Sequence, residues 1–205
     1  MDSVGYRQPD APTAPTMTSV KIVVGGGFGA GKTTFVGSVS EIMPLTTEAV
    51  MTEASVGIDD LNATPNKVTT TVAMDFGRVS LDSDLVLYLF GTPGQQRFWF
   101  MWDDLVRGAI GAVVLADTRR LADCFSPIDF FEDRRLPYVV GLNCFDGEQQ
   151  HGIEEVRDAL AIGAEVPIIM CDARNRESVK QTLITMVEYA MEQWVAVHGA
   201  SVSPV

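Results

Sequence analysis

Gly26, Gly31, Lys32 and Thr33 stand in the stretch GGFGAGKTT at the spacing G-x-x-x-x-G-K-[ST]. The apolar run Ile22-Val23-Val24 precedes it, and the apolar positions Phe35, Val36, Val39 and Ile42 of a helix follow. That order has a chemical reason. Successive backbone N–H groups can turn inward around an anion only where glycines relieve the crowding or supply positive φ. The helix N-terminus adds its partial positive charge. Lys32 offers a mobile cation for β- and γ-phosphates, and the Thr33 hydroxyl suits Mg²⁺. The spacing therefore predicts a cradle for a nucleoside triphosphate and is silent about the base.

Two further stretches bear on that chemistry. The first, FGTPGQQRFWFMW (Phe90–Trp102), sets Gly91, Pro93 and Gly94, which break regular structure, beside an amide pair and a bulky apolar cluster. Its rings could pack a helix onto a sheet or form an exposed contact surface, and Trp is favoured at contact hot spots. The second, GLNCFDG, places Asn143 and Asp146 at N-x-x-D spacing. A carboxylate there can accept both the ring N–H and the exocyclic amine of guanine, a donor pair that adenine lacks. The same residues also suit a solvated turn. In the later stretch CDARN, Ala173 can offer a backbone N–H to the guanine carbonyl, with Arg174 beside it.

These motifs must hang on a scaffold. Strand candidates are Val20–Val24, Val68–Phe76, Leu85–Phe90, Gly111–Ala116, Tyr138–Leu142 and Val166–Cys171, several of them almost wholly apolar. Helical stretches alternate with them. In the last, Val179, Leu183, Met186, Val187, Ala190, Trp194 and Val197 form one stripe, and Ser178 with Gln181 matches a capping box. The pattern predicts a three-layer, doubly wound α/β fold: a mostly parallel six-stranded sheet with helices on both faces. Ligands of such sheets bind beyond the carboxyl ends of the strands.

The motifs occur in the order of the Ras-like small GTPases, and the chain resembles that family from about Ser19 to Val197. More narrowly it resembles the bacterial MglA-type branch and, within it, the GTPases of actinobacterial conservon operons. The resemblance implies a P-loop G domain, here residues 18–198, with an antiparallel second strand, GTP or GDP, and Mg²⁺. By the match, Gly27, Phe28, Gly29, Ala30, Gly31, Lys32, Thr33 and Thr34 bind phosphates. Gly94 senses the γ-phosphate, Gln95 orients the attacking water, and Asn143, Asp146, Ala173 and Arg174 serve the base. Thr33 and Thr71 are the metal ligands, with Thr69 and Thr70 close enough to be confused with Thr71. The family also implies a roadblock-domain regulatory protein as partner and a sensor-kinase-like signalling complex around it. The implied activity is a slow GTP-to-GDP switch, with a hydrolysis-free nucleotide scaffold as the alternative.

Three positions depart from the family pattern. Gly91 replaces the aspartate that holds Mg²⁺ through water, for which Asp75 is a candidate substitute. Cys144 replaces the lysine that packs over the base. Phe28 brings a ring where glycine is usual, crowding the γ-phosphate and obstructing an arginine arriving from a partner. Between Lys32 and Lys67 there is no Arg or Lys. A first switch in that interval supplies no arginine finger, so unaided turnover is expected on the order of 10⁻⁴–10⁻³ s⁻¹.

Bulk properties set the remaining bounds. The 205 residues suit one domain, 46% hydrophobic and 20% charged, and the net charge of −12 argues against nucleic acid as a partner. Residues 1–17, with Pro9, Pro12 and Pro15, and residues 199–205 read as flexible tails. Cys124, Cys144 and Cys171 fit no metal spacing and read as reduced thiols. No apolar run reaches the ~18 residues of a membrane span. The expectation is a cytoplasmic protein, with any membrane recruitment coming through a partner.

Overall fold

A computed structural model describes residues 18–43, 47–50, 69–72, 74–81, 84–94, 96–144 and 151–199. The central sheet has six strands in the order β4-β5-β1-β6-β7-β8. These are β4 (Phe76–Ser80), β5 (Leu85–Gly91), β1 (Thr18–Gly26), β6 (Ala109–Ala116), β7 (Tyr138–Asn143) and β8 (Ile168–Cys171). Every neighbouring pair is parallel except β4 with β5. The fold is the P-loop α/β architecture that the alternating pattern predicts.

Alternation along β1 shows how the layers form. Ile22 and Val24 face one core with α1 (Lys32–Val39) and α5 (Arg176–His198), where Phe35, Val36, Leu183 and Met186 are buried. Val23 faces the other, with Ile128 and Phe131 of α3 (Phe125–Asp133) and Val156 and Leu160 of α4 (Ile153–Leu160). A strand covered on both faces needs no polar side, which is why these runs look uniformly apolar.

The expected strand Val68–Phe76 divides in two. Thr69–Val72 forms β3, paired antiparallel with β2 (Thr47–Val50) in a separate ribbon, while Phe76 opens β4. The antiparallel strand implied by the family is present, but Phe76–Ser80 forms it. The threonines drew the strand early because β-branched residues favour extended backbone, whereas FGRVS lies at the sheet edge and buries only alternate residues. Glu41, just past α1, anchors this edge by accepting from Ser80 N (2.9 Å) and pairing with Arg78 (2.9 Å).

Two details of helices also differ from expectation. Asn175, not Ser178, caps α5: its side chain accepts from the amides of Glu177 and Ser178, and Ser178 Oγ accepts from Asp172 N. Ile42 lies beyond α1, which ends at Val39. The α5 stripe holds through Ala190, but Trp194 and Val197 are 63% and 69% exposed. A helix of 23 residues is roughly 34 Å long and overruns strands of at most nine.

Candidate functional site

The phosphate loop connects β1 to α1. Gly26 (φ 136) and Gly31 (φ 102) occupy the left-handed region and have no room for a side chain. A Cβ at Gly26 would lie 2.5 Å from the Leu115 carbonyl oxygen, and one at Gly31 would lie 2.5 Å from Asn143 Nδ2. Both requirements are met by glycine alone. No side chain caps α1, so its first amides remain open toward an anion. Lys32 is buried and donates from Nζ to the carbonyls of Gly26 (2.9 Å) and Gly27 (2.7 Å). Burial pushes its pKa down to about 8, with Asp75 opposing the shift. Phe28, Gly29, Thr33 and Thr34 are exposed along the loop and helix start, and Ala30 is buried.

Asp75 stands beside Thr33. The Thr33 hydroxyl donates to Asp75 Oδ2 at 2.9 Å, and Gly91 N donates to the Asp75 carbonyl at 2.8 Å. A Cβ on Gly91 would come within 2.9 Å of both Asp75 Cβ and Oδ2. A carboxylate thus stands beside Thr33 from the residue just ahead of β4, and carboxylates at positions 75 and 91 would exclude each other sterically. A hydroxyl and a carboxylate side by side are the hard oxygen donors that Mg²⁺ favours, the phosphates and water completing its octahedron. The residues fit the ion. Among the described residues no group of three or more His, Cys, Asp or Glu forms a metal cage.

The loop after β5 closes over the cradle. Thr92 N donates to the Val24 carbonyl (2.9 Å), which carries the loop across the end of β1. A Cβ on Gly94 would meet Lys32 Nζ at 2.9 Å and the Phe28 backbone at 3.0 and 3.1 Å. Gly94 therefore lies against both Lys32 and the phosphate loop. Gln95 lies outside the described residues, as does Asp146; Thr71 is placed within β3, but its side chain is not described. The aromatic run divides. Phe98 and Trp102 are buried, while Trp99 and Phe100 are 37% and 51% exposed. Trp102, in α2 (Trp102–Val106), stacks on Phe131 with centroids 6.1 Å apart and meets Phe130 edge-on at 5.0 Å.

On the base side, buried Asn143 bridges two loops. Its Nδ2 donates to the Ala30 carbonyl (3.0 Å), and its Oδ1 accepts from Ala173 N (3.1 Å). The Ala173 amide is thus the donor at one end of this brace. Arg174 folds back on Asp172, with Nε 3.0 Å from Oδ1. Cys144 extends the β7–β8 pairing through its amide (2.7 Å to the Cys171 carbonyl), and burial raises its thiol pKa.

One feature of the site escaped the motif reading. Asp117, Arg120 and Asp123 follow β6, and Arg120 Nη2 donates to the Phe28 carbonyl at 2.5 Å. The signal was available, because the loop after β6 leaves the same sheet edge as the phosphate loop. A groove of about 1080 Å³ lies at the opposite pole, lined by Val20, Leu85, Ile110, Tyr138, Val187 and Trp194. It holds none of these groups, since these strand residues sit near the strands' starts and the chemistry sits at their ends.

Residues 24–193 match the family described as "Conserved hypothetical ATP binding protein", and the chain belongs to that family. An uncharacterised protein of Methanocaldococcus jannaschii is 30% identical over 129 residues, 62% of this chain and 71% of its own. Among solved structures, the G domain of the FeoB iron transporter of T. maritima aligns with TM-score 0.59 at 16% identity, covering 84% of this chain and 99% of that one. The Arl6 small GTPase of Trypanosoma brucei, solved with the nucleotide analogue GppNp, aligns with TM-score 0.59 at 17% identity, covering 86% and 99%. The chain is a nucleotide-binding P-loop protein with the fold of a G domain.

Proposed function

We propose that the protein is a GTP-binding molecular switch with slow hydrolysis of GTP to GDP and phosphate, of the MglA-type branch its motifs resemble. The observation that carries this reading is the approach of Gly94 to Lys32 and Phe28, which couples the loop of exposed Trp99 and Phe100 to the end of the phosphate chain. Lys32 and the loop amides bind the phosphates. Thr33 and Asp75 would hold Mg²⁺, which would supply positive charge to the phosphate oxygens. Gly94 N–H meets the γ-phosphate, and Gln95 orients water toward it. A loop tied to the third phosphate rearranges when that phosphate leaves.

Guanine is favoured by the N-x-x-D pair: Asn143 braces the phosphate loop, and the Asp146 carboxylate accepts the ring N–H and exocyclic amine that adenine lacks. The family description speaks of ATP, so the base is the point to test. Denaturing the freshly purified protein and identifying what it releases is expected to give GDP or GTP; ATP or ADP would overturn the base assignment. The hydrolysis-free scaffold drew support from Gly91, and Asp75 weakens that support by standing in the gap. Gln95→Leu is expected to slow single-turnover hydrolysis; no change would favour the scaffold. By the same resemblance, a roadblock-domain regulator reads the Trp99 and Phe100 surface within a sensor-kinase-like complex, and the protein works in the cytoplasm, at a membrane only through that partner.

A further inference from the structure

Arg119 and Arg120 are adjacent, yet the structure uses them differently. Arg119 grips Asp117 with Nε at 2.9 Å and Nη2 at 2.8 Å from its carboxylate oxygens. Arg120 lies at longer range from its acids, 3.9 Å from Asp117 and 3.8 Å from Asp123. Its short contact is with the Phe28 carbonyl, a neutral acceptor. The 3₁₀ turn Thr118–Cys124 is interrupted at Arg120 (φ −145, ψ 52), and the interruption aims this side chain across the phosphate loop. Its Nη2 lies 3.3 Å from where a Cβ of Gly29 would stand. The guanidinium therefore rests on the loop at the two residues beside which the β- and γ-phosphates would lie.

We infer that Arg120 is a built-in arginine finger: with a nucleoside triphosphate bound, it exchanges the Phe28 carbonyl for oxygens of the β–γ bridge and γ-phosphate. The inference rests on the reading of the site as a GTPase. A phosphate carries full negative charge and can accept two parallel bonds from the guanidinium fork, neither of which the neutral carbonyl offers, so phosphate outcompetes the carbonyl. Two other features point the same way. No arginine or lysine lies between Lys32 and Lys67, so a first switch in that interval supplies no arginine. The Phe28 ring, 65% exposed at the loop rim, obstructs one supplied by a partner, whereas Arg120 approaches Phe28 from its carbonyl side. In the reaction, water oxygen bonds to the γ-phosphorus and the bond from that phosphorus to the bridging oxygen breaks. The electron pair stays on the β-phosphate of GDP, and the water proton leaves with inorganic phosphate to solvent. Arg120 stabilises the charge gathering on the bridging oxygen, which moves unaided turnover toward about 10⁻² s⁻¹, still slow but above the rate expected of a switch with no finger.

The test compares wild type, Arg120→Ala and Arg120→Lys, with thermal melting to verify folding, in single-turnover GTP hydrolysis and in equilibrium binding of GDP and GTPγS. The alanine variant is expected to hydrolyse GTP about 10- to 100-fold more slowly, and to lose GTPγS affinity while GDP affinity stays within about threefold. Lysine, which lacks the planar fork, restores only part. Equal loss of GDP and GTPγS affinity would show that Arg120 merely braces the loop, and unchanged hydrolysis with unchanged binding would likewise overturn the inference. Wild-type protein that binds neither nucleotide would remove the GTPase reading itself, and this inference with it.

Discussion

Lys32 and Asp75 hold opposite positions on the scale of what a sequence discloses. Lys32 announces itself because its partners are its own loop, six residues long. Asp75 is legible only as a substitute, because its relation to Thr33 and Gly91 exists in space and not along the chain. Lys32 leads to a pH prediction. Burial lowers its pKa from 10.5 to about 8. Below about pH 8 the ligand-free ammonium is charged and nucleotide affinity is flat; above it, affinity falls by up to about tenfold per pH unit, because phosphate binds the protonated form. A titration of nucleotide affinity from pH 7 to 9.5 reads this directly. For folding the sign is reversed. A lysine depressed in the folded state carries its full penalty below pH 8, and the penalty fades as pH rises toward 10.5, so the ligand-free protein gains stability across that window. Asp75→Asn is expected to weaken Mg²⁺ in the nucleotide complex by about 10- to 100-fold, measured by metal-dependent nucleotide release. Gly91→Asp alone collides with Asp75, whereas Gly91→Asp combined with Asp75→Gly is expected to recover much of the affinity. A double variant no better than Asp75→Asn would refute the substitution.

The loop and helix from Gly91 to Val106 show how one element both packs and signals. Trp102 is buried against Phe130 and Phe131 and reaches the Pro93 carbonyl with Nε1 at 3.4 Å, while Trp99 packs over Trp102 with ring centroids 5.7 Å apart and stays 37% exposed. Trp102→Ala is expected to cost about 3–5 kcal/mol by chemical denaturation, and Trp99→Ala less than about 1 kcal/mol. Comparable losses would mean that the outer ring is structural. Asn143→Ala frees a carbonyl and an amide in two loops at once and is expected to cost about 1–3 kcal/mol together with nucleotide affinity. The interior strands were legible because double burial leaves an apolar run. The edge strand β4 was not, because FGRVS carries Gly, Arg and Ser on a strand with one neighbour. The cap of α5 was misplaced for a related reason: Asn175 and Ser178 both suit the position, and the turn entering the helix decides between them.

At the scale of the whole molecule, the parallel sheet brings five separated stretches to one edge. The ends of β1, β5, β6, β7 and β8 carry the phosphate loop, Gly94, Arg120, Asn143 and Ala173 in turn. The fold was legible because strand and helix alternate with little else between them. The phosphate loop was legible because its motif is local, whereas the meeting of two loops at Arg120 and Phe28 leaves no mark along the chain. Among the described residues no helix is long and apolar enough to cross a membrane. The central claim is that the loop of Gly94, Trp99 and Phe100 reports the third phosphate of a guanine nucleotide. Hydrogen exchange of the backbone amides across residues 91–105 tests this most directly, with the protein loaded in turn with GDP, with GTPγS and with a non-hydrolysable ATP analogue. Added protection is expected with GTPγS over GDP and none with the ATP analogue; equal exchange in the GDP and GTPγS states would rule the switch out.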